Sequence, residues 1–351
     1  MTVTDLVWIQ TSFIGDVVLT TAAMELAKRH FPTAHQHVVT TPLGAKVLEG
    51  SGALTSRLVF DKKGQSALAA FSAVKRDLRA VLGGRTPVVL QTHRSFRSSF
   101  LCRFFGWPTI TYQETSGGWL AGTRVSRVAV LHEAARIALL LEPLGVSRSE
   151  ILAARPKLDP LPLEGASAWV SALGGARSPV IGVAPGSVWG TKRWTLEGFA
   201  ELTKRLLDGG ATVLLLGSQG ERPLTDAVAQ AAGPSDRLVN AAGETSFDDL
   251  RRIYPRLSLV ITNDSSPMHY ASAFNVPTLG LFGATLPEMG FGPLADKALS
   301  LGVDGLACRP CSDHGPMVCP LGHFRCMKEL SAERVHAAAK KLLTATGTRS
   351  P

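Results

Sequence analysis

The stretch at residues 257–274 is LSLVITNDSSPMHYASAF, and its order of signals decides the fold class. It begins with an apolar run, which is typical of a buried strand. A polar turn follows, and two serines before Pro267 predict the start of a helix with a serine cap. A buried strand, a polar loop and a helix in this order form the repeating unit of a parallel α/β sheet.

The same unit recurs along the chain. Further apolar runs predict strands in both halves, at residues 5–10, 37–41, 87–93, 180–184, 211–217 and 278–283. The first run is followed by the turn TSFIGD and then by a helix that extends to about His30. Strands that alternate with helices indicate parallel sheets covered on both faces.

The chain length and one proline-rich segment predict two domains. A chain of 351 residues is too long for one ordinary core. Residues 155–165, RPKLDPLPLEG, contain three prolines and are typical of an extended linker. We therefore place the first domain at residues 1–160 and the second at residues 161–351.

The composition excludes several classes of protein. The chain is 45% hydrophobic and 19% charged, as expected of a globular protein. Its net charge of +9 favours an anionic partner, but the basic residues are scattered, which argues against nucleic-acid binding. No apolar run is long enough to span a bilayer and the N-terminus has no basic signal region, so we expect a cytoplasmic protein.

Polar loops follow the predicted strands of the second domain, where open α/β sheets bind ligands. PGSVWGTKRW at 185–194 places Lys192 and Arg193 after a glycine-rich turn, where they could neutralise a diphosphate. Its glycines do not have the spacing of a phosphate-binding P-loop. The alternative to a role in binding a diphosphate is a basic loop that is simply solvated.

Two carboxylates accompany these loops. Asp264 ends the strand at 257–264 beside a helix start suited to an anion, so we expect it to face sugar hydroxyls instead of phosphate. Glu221, in GSQGERP, could accept hydrogen bonds from a ribose. No G-x-G-x-x-G follows a strand, and we predict no dinucleotide cofactor.

Two groups in the first domain are candidates for chemistry. Gly15 and Asp16 lie at the turn after the first strand, and Asp16 could act as a general base or could only cap a helix. His93, Arg94 and Arg97 follow the strand at 87–93 and could clamp a phosphate or carboxylate, or could be solvated surface groups.

Four of the five cysteines are close in sequence, at Cys308, Cys311, Cys319 and Cys326. Their spacing is compatible with structural zinc, whereas reduced thiols that pack in a loop are the alternative. Disulfides are disfavoured in a reducing cytosol. Cys102 lies on an apolar helix face and is most simply a small core residue.

Five segments together resemble the ADP-heptose:lipopolysaccharide heptosyltransferases of glycosyltransferase family 9. They are WIQTSFIGDVVLTTAAMELAKRHFP, RSFRSSFL, PGSVWGTKRW, TNDSSPMHYASAFNVPTLGLFG and CPLGHFRCMKEL, and they occur in the family's order over nearly the whole chain. The cysteine-containing tail is most similar to the heptosyltransferase II branch. The resemblance implies a GT-B fold of two Rossmann-like domains facing across a cleft, with inverting chemistry and no metal or other cofactor.

The resemblance also implies roles for single residues. Asp16 would be the general base, Lys192 would neutralise the ADP diphosphate, Glu221 would bind the ribose and Asp264 the heptose hydroxyls. The remaining donor-site candidates are Ser187, Thr191, Ser265, Ser266 and His269, and the acceptor-site candidates are Gly15, Arg94 and Arg97.

The implied partners are ADP-heptose and a lipopolysaccharide core acceptor, Kdo-lipid A that carries its first heptose. Peripheral contact with the inner face of the inner membrane is a further expectation. The alternatives are a family-9 transferase of type I or III with another acceptor or sugar, and a non-catalytic binding protein stabilised by zinc.

Overall fold

The computed structural model describes residues 3–61, 66–173 and 179–344. The chain divides into two compact units, Met1–Asp159 and Pro160–Pro351. Residues 155–162 between them belong to neither a helix nor a strand. In the part of the chain that the structure describes, no helix is long and apolar enough to cross a membrane.

Unit 1 has a sheet of six parallel strands, counted over its described residues, in the order β3-β2-β1-β4-β5-β6. The strands are β1 (Asp5–Gln10), β2 (His35–Thr40), β3 (Ser56–Val59), β4 (Val88–Gln91), β5 (Thr109–Tyr112) and β6 (Thr123–Val125). The helices are α1 (Ile14–His30), α2 (Pro42–Val47), α3 (Ala67–Leu82), α4 (Phe96–Phe105), α5 (Glu133–Ala138) and α6 (Arg148–Ala153).

The central strand and the first helix of unit 1 contribute much of its core. All six residues of β1 are buried, because β2 and β4 flank it and helices cover the sheet. Helix α1 starts at Ile14, so Gly15 and Asp16 lie in its first turn and not in the preceding loop, where we had predicted them. The thiol of Cys102 belongs to the apolar core, as predicted, and burial raises its pKa.

A buried polar network lies at the edge of unit 1 where β1 begins. The carboxylate of Asp5 accepts hydrogen bonds from Nε and Nη2 of Arg85 at 2.8 and 3.1 Å. His37 places Nε2 at 3.2 Å from Asp5 Oδ1 and Nδ1 at 2.7 Å from Ser56 Oγ. Burial lowers the pKa of His37 and outweighs the opposite effect of Asp5. Burial raises the pKa of Asp5, but its hydrogen bonds from Arg85 and His37 outweigh this, so that pKa is lowered overall.

This network predicts that acid destabilises the fold before the ordinary carboxylates titrate. Because the pKa of His37 is lowered from 6.5, the unfolded chain takes up that proton first. The contribution of neutral His37 is complete above 6.5 and is lost as the pH falls through the folded-state value. Urea titrations should therefore give a free energy of unfolding that falls as the pH is lowered below 6.5.

His37→Gln should flatten this part of the pH profile, and His30→Gln should not. His30 is a suitable control because its side chain is one-third exposed, at 33%, whereas that of His37 is 1% exposed. Equal slopes for the wild type and His37→Gln would contradict the assignment.

Unit 2 repeats the architecture with strands in the order β12-β11-β10-β7-β8-β9, again six and parallel among its described residues. The strands are β7 (Val180–Ala184), β8 (Thr212–Leu215), β9 (Leu238–Asn240), β10 (Leu259–Asn263), β11 (Thr278–Leu281) and β12 (Ala298–Leu301). The helices are α7 (Ala168–Leu173), α8 (Leu196–Asp208), α9 (Arg222–Ala232), α10 (Phe247–Ile253), α11 (Ser266–Ala273), α12 (Arg325–Lys328) and α13 (Ala332–Thr344).

Both sheets have the 3-2-1-4-5-6 order of Rossmann-like folds, and the predicted α/β class with parallel sheets is confirmed. In this order the first three strands extend the sheet to one side, and the next three extend it to the other side. The switch occurs between two neighbouring central strands. The neighbours are β1 and β4 in unit 1, and β7 and β10 in unit 2. Ligands of such sheets bind beyond the carboxyl ends of these strands, so each unit offers one candidate site.

Candidate active site

In unit 2 the loop that follows β7 is held by a buried amide. Asn263, the last residue of β10, is fully buried. Its Nδ2 donates to the carbonyls of Pro185 and Gly186 at 2.8 and 3.3 Å, and its Oδ1 accepts from the backbone N–H of Trp194 at 3.0 Å. One side chain therefore fixes both ends of the loop at 185–194. We had not predicted this role from the sequence.

An ion pair joins this loop to the end of β10. Lys192 Nζ lies 2.6 Å from Asp264 Oδ2, and the two side chains are only 12% and 6% exposed. The hydroxyl of Thr285 donates to the same carboxylate oxygen at 2.7 Å. Replacing only one residue of so buried a pair would leave the other charge buried without a partner, and this would strongly destabilise the fold. The pair places a lysine cation directly beside the first turn of α11.

Helix α11 begins without a side-chain cap. Ser265 is the residue before the helix, but its hydroxyl makes no bond to the first turn. The hydroxyl lies instead 3.3 Å from Thr262 Oγ1 and donates to the carbonyl of Asn263 at 3.4 Å. The serine cap predicted from the sequence is wrong, and Pro267 occupies the second helical position. A helix start with no side-chain cap, next to Lys192, is suited to binding an anion.

Glu221 packs against the same loop. Its Oε2 accepts hydrogen bonds from the backbone N–H and the hydroxyl of Ser218 at 2.7 and 2.8 Å. A Cβ placed on Gly186 would lie 1.8 Å from Glu221 Oε1, so only glycine allows the carboxylate to approach the loop. The structure therefore brings Glu221 to the edge that carries Lys192.

The other predicted donor-site residues differ in accessibility. Ser187 is buried, and its carbonyl accepts from Arg193 Nε at 2.7 Å. Thr191 is also buried, and its hydroxyl donates to the carbonyl of Pro316 at 2.5 Å, so this hydrogen is engaged within the protein. His269 is buried on α11, with its ring centre 6.3 Å from that of Phe291. Ser266 is partly exposed at the start of α11.

Residues 308–326, which we call the cysteine segment, contain four of the five cysteines. All four have free thiols. Burial raises the pKa of Cys326 to about 11 and also raises that of Cys311. Over residues 3–61, 66–173 and 179–344, no three side chains of His, Cys, Asp or Glu are placed to hold a common metal ion.

Three contacts tie the cysteine segment to the Lys192 loop. Pro316 accepts the backbone N–H of Thr191 at 3.2 Å, and a Cβ on Gly190 would lie 2.2 Å from the carbonyl oxygen of Met317. The rings of Trp189 and His314 stack with centres 6.1 Å apart. The segment is thus a cover for one side of the loop.

In unit 1, Asp16 is a half-buried carboxylate at the carboxyl end of the sheet. Ser12 Oγ donates to Asp16 Oδ2 at 2.5 Å, and the backbone N–H of Ser12 donates to Gln10 Oε1 at 3.2 Å. Thr20 Oγ1 donates to the carbonyl of Asp16 at 2.7 Å. These bonds orient the carboxylate at the start of α1.

The loop that follows β4 lies beside the loop that joins β1 to α1. His93 Nδ1 lies 2.9 Å from Thr11 Oγ1 and 3.2 Å from Ser98 Oγ, which ties the loop after β1 to the loop after β4. Arg94 and Arg97 are exposed. Thr11 and Ser12 were not among the predicted site residues, although a Thr-Ser pair directly after a buried strand is a signal that could have identified them.

The match to a family model decides the family. The model described as glycosyltransferase family 9 (heptosyltransferase) matches residues 75–320. The chain belongs to glycosyltransferase family 9.

Curated relatives of this family-9 chain include two lipooligosaccharide heptosyltransferases 2. The Haemophilus influenzae protein is 38% identical over 123 residues, 34% of this chain and 35% of the relative. The Campylobacter jejuni protein is 30% identical over 166 residues, 47% of this chain and 51% of the relative. The chain thus matches between about a third and a half of the length of these relatives.

Solved structures resemble this family-9 chain over nearly all of its length. A family 9 glycosyl transferase from Veillonella parvula has a TM-score of 0.83 at 22% identity and covers 98% of this chain and 99% of its own. The ADP-heptose heptosyltransferase II of E. coli has a TM-score of 0.76 at 21% identity, with 97% and 99% covered. These similarities confirm the predicted GT-B fold class.

Proposed function

We propose that this chain is an inverting glycosyltransferase that moves heptose from ADP-heptose to the heptose/Kdo inner core of lipopolysaccharide, as a heptosyltransferase II does. The observation that carries the proposal is the pairing of Lys192 with Asp264 beside the uncapped start of α11. It combines a cation and a helix N-terminus for a diphosphate with a carboxylate for sugar hydroxyls. The names of the curated relatives support the same donor and acceptor classes.

Unit 2 would bind the donor. The diphosphate would lie against the start of α11, near Ser265 and Ser266, with Lys192 neutralising the charge that develops on leaving ADP. Glu221 would accept hydrogen bonds from the ribose, and Asp264 from the heptose. Ser187, Thr191 and His269 would line this site, and Thr191 would need to turn its hydroxyl away from Pro316 to donate to a phosphate.

Unit 1 would bind the acceptor and supply the base. Asp16 would take the proton from an acceptor hydroxyl while the oxygen attacks the anomeric carbon on the face opposite ADP. The new C–O bond forms as the bond to the diphosphate breaks, so the configuration at that carbon inverts. Gly15 precedes Asp16 and would line the acceptor site, and the exposed Arg94 and Arg97 would hold acidic groups of the core.

The acceptor class also suggests the location. A glycolipid acceptor is anchored in a bilayer, so the enzyme would work at the cytoplasmic face of the inner membrane as a peripheral protein. The net charge of +9 favours such an anionic surface.

Release of the nucleoside diphosphate from matched substrate pairs tests the proposal. We expect ADP release with ADP-heptose and Kdo-lipid A that carries one heptose, and much less release of UDP or GDP when UDP- or GDP-linked sugars replace ADP-heptose. Release that is greater with heptose-free Kdo-lipid A would assign a type I enzyme, and release that requires a longer core would assign type III. No release with any acceptor, from a folded protein containing stoichiometric zinc, would favour a binding protein.

A further inference from the structure

Unit 1 exposes four large aromatic side chains around the end of its sheet that carries Asp16. Phe13 is 65% exposed, Phe96 57%, Phe100 43% and Trp119 72%. Single exposed apolar residues are ordinary, but a group of large aromatic ones marks an interaction surface. We call these four residues the aromatic surface.

The aromatic surface comes from two loops and one helix that contacts hold together. Phe96 and Phe100 are one helical turn apart on the exposed side of α4. A Cβ on Gly117 would lie 2.9 Å from Phe96 Cδ2, so the turn that carries Trp119 packs on α4. The bond between Thr11 and His93 joins the loop of Phe13 to the same group.

Arginines surround these aromatic residues. Arg94, Arg97 and Arg103 are all exposed, and Arg103 lies two helical turns from Phe96 on the same side of α4. The acidic residue of the adjoining turn, Glu114, accepts hydrogen bonds from the backbone N–H of Arg127 at 3.1 and 3.2 Å. The region therefore combines exposed rings with an excess of positive charge.

We propose that the aromatic surface seats unit 1 on an anionic phospholipid bilayer and presents Asp16 to an acceptor anchored in that bilayer. The inference rests on the proposed function and names the surface through which the enzyme meets its lipid-bound acceptor. Aromatic rings occupy the headgroup level of a bilayer, while arginines extend toward its phosphates.

Charge favours a bilayer over a second copy of this chain. A two-fold pair built on the aromatic surface would bring the same arginines of both copies together. An anionic headgroup layer instead supplies opposite charge over the whole area.

Sedimentation with lipid vesicles tests the surface in the absence of substrates. Wild type should bind vesicles of phosphatidylcholine with phosphatidylglycerol better than vesicles of phosphatidylcholine alone, and salt should weaken binding. Phe96→Ser with Trp119→Ser should reduce binding to the anionic vesicles by about tenfold or more.

A matched control removes an exposed leucine elsewhere in unit 1. Leu152 is 45% exposed on α6. This helix contacts the far end of α1, where His30 lies 3.9 Å from Glu150. At the helical rise of about 1.5 Å per residue, His30 lies about 21 Å along α1 from Asp16. Leu152→Ser should bind vesicles as the wild type does. Equal binding by the double variant would overturn the proposal, and so would a wild-type dimer that the double variant converts to monomer without any vesicle binding.

The acceptor's own lipid separates this inference from the proposed function. With acylated acceptor in anionic vesicles, the double variant should show a KM raised by about tenfold. With deacylated, water-soluble acceptor, its kcat/KM should equal that of the wild type. Equal losses with both acceptors would indicate damage to the site and would overturn the docking role. No turnover of either acceptor by the wild type would refute the proposed function and leave the vesicle result to be judged alone.

Discussion

Asp16→Asn is expected to lower kcat by about a hundredfold to ten-thousandfold, the usual contribution of a general base. The amide keeps the size of the carboxylate and can still accept the hydrogen bond from Ser12 Oγ, but it cannot take a proton from the acceptor. The KM for ADP-heptose should change little, because Asp16 lies in unit 1 and the donor residues lie in unit 2. Steady-state ADP release, with circular dichroism to verify folding, measures both quantities.

Glu25→Gln provides the control for Asp16. Glu25 is a second carboxylate on α1, with Oε2 at 3.7 Å from Lys157 Nζ, and it faces no predicted substrate. The control should retain turnover. If folded Asp16→Asn turned over like Glu25→Gln, Asp16 would be only an acidic residue in the first turn of a helix, worth about 0.3 to 1 kcal/mol of stability.

Lys192→Met is expected to lower kcat by about a hundredfold to a thousandfold, since it removes the cation that would stabilise the leaving diphosphate. The side chain keeps most of its volume but loses its charge. It also leaves Asp264 buried without its ion-pair partner, so the variant should be less stable as well. Turnover and thermal unfolding are therefore measured together.

A double variant distinguishes a catalytic lysine from a structural one. Lys192→Met with Asp264→Asn removes both charges of the pair and should recover stability without recovering turnover. Recovery of both would reduce Lys192 to a structural partner of Asp264. Lys204→Met, the same change at an exposed lysine on α8, should affect neither quantity.

The fold could be predicted where strands are long and buried. All five residues of β7 and β10, and all six of β1, are buried, and their apolar runs predicted them. The prediction missed β3, β6, β9 and β12, which have only three or four residues each and are partly exposed. Strands this short have no clear periodicity, because their neighbours in the sheet, and not their own sequence, make them strands. β5 is buried but short, and it was missed as well.

The site was predictable as a set of loops but not as a set of contacts. Polar residues after buried strands identified the regions of Lys192, Asp264 and Asp16. The bonds of Asn263 reach residues 69 to 78 positions away, and these partners exist only once the sheet has formed. The serine cap was predicted wrongly for a similar reason, since Thr262 and the carbonyl of Asn263 attract the Ser265 hydroxyl away from the helix.

Analysis of the product tests the proposed heptosyl transfer most directly. ADP-heptose and the heptose-bearing Kdo-lipid A acceptor are incubated with the enzyme, ADP is quantified, and the acceptor is analysed by mass spectrometry and by NMR of its new anomeric centre. We expect each ADP released to accompany one heptosyl group added to the acceptor, with the anomeric configuration inverted relative to the donor. Retained configuration, or ADP released without any gain of mass by the acceptor, would contradict the proposed inverting transfer.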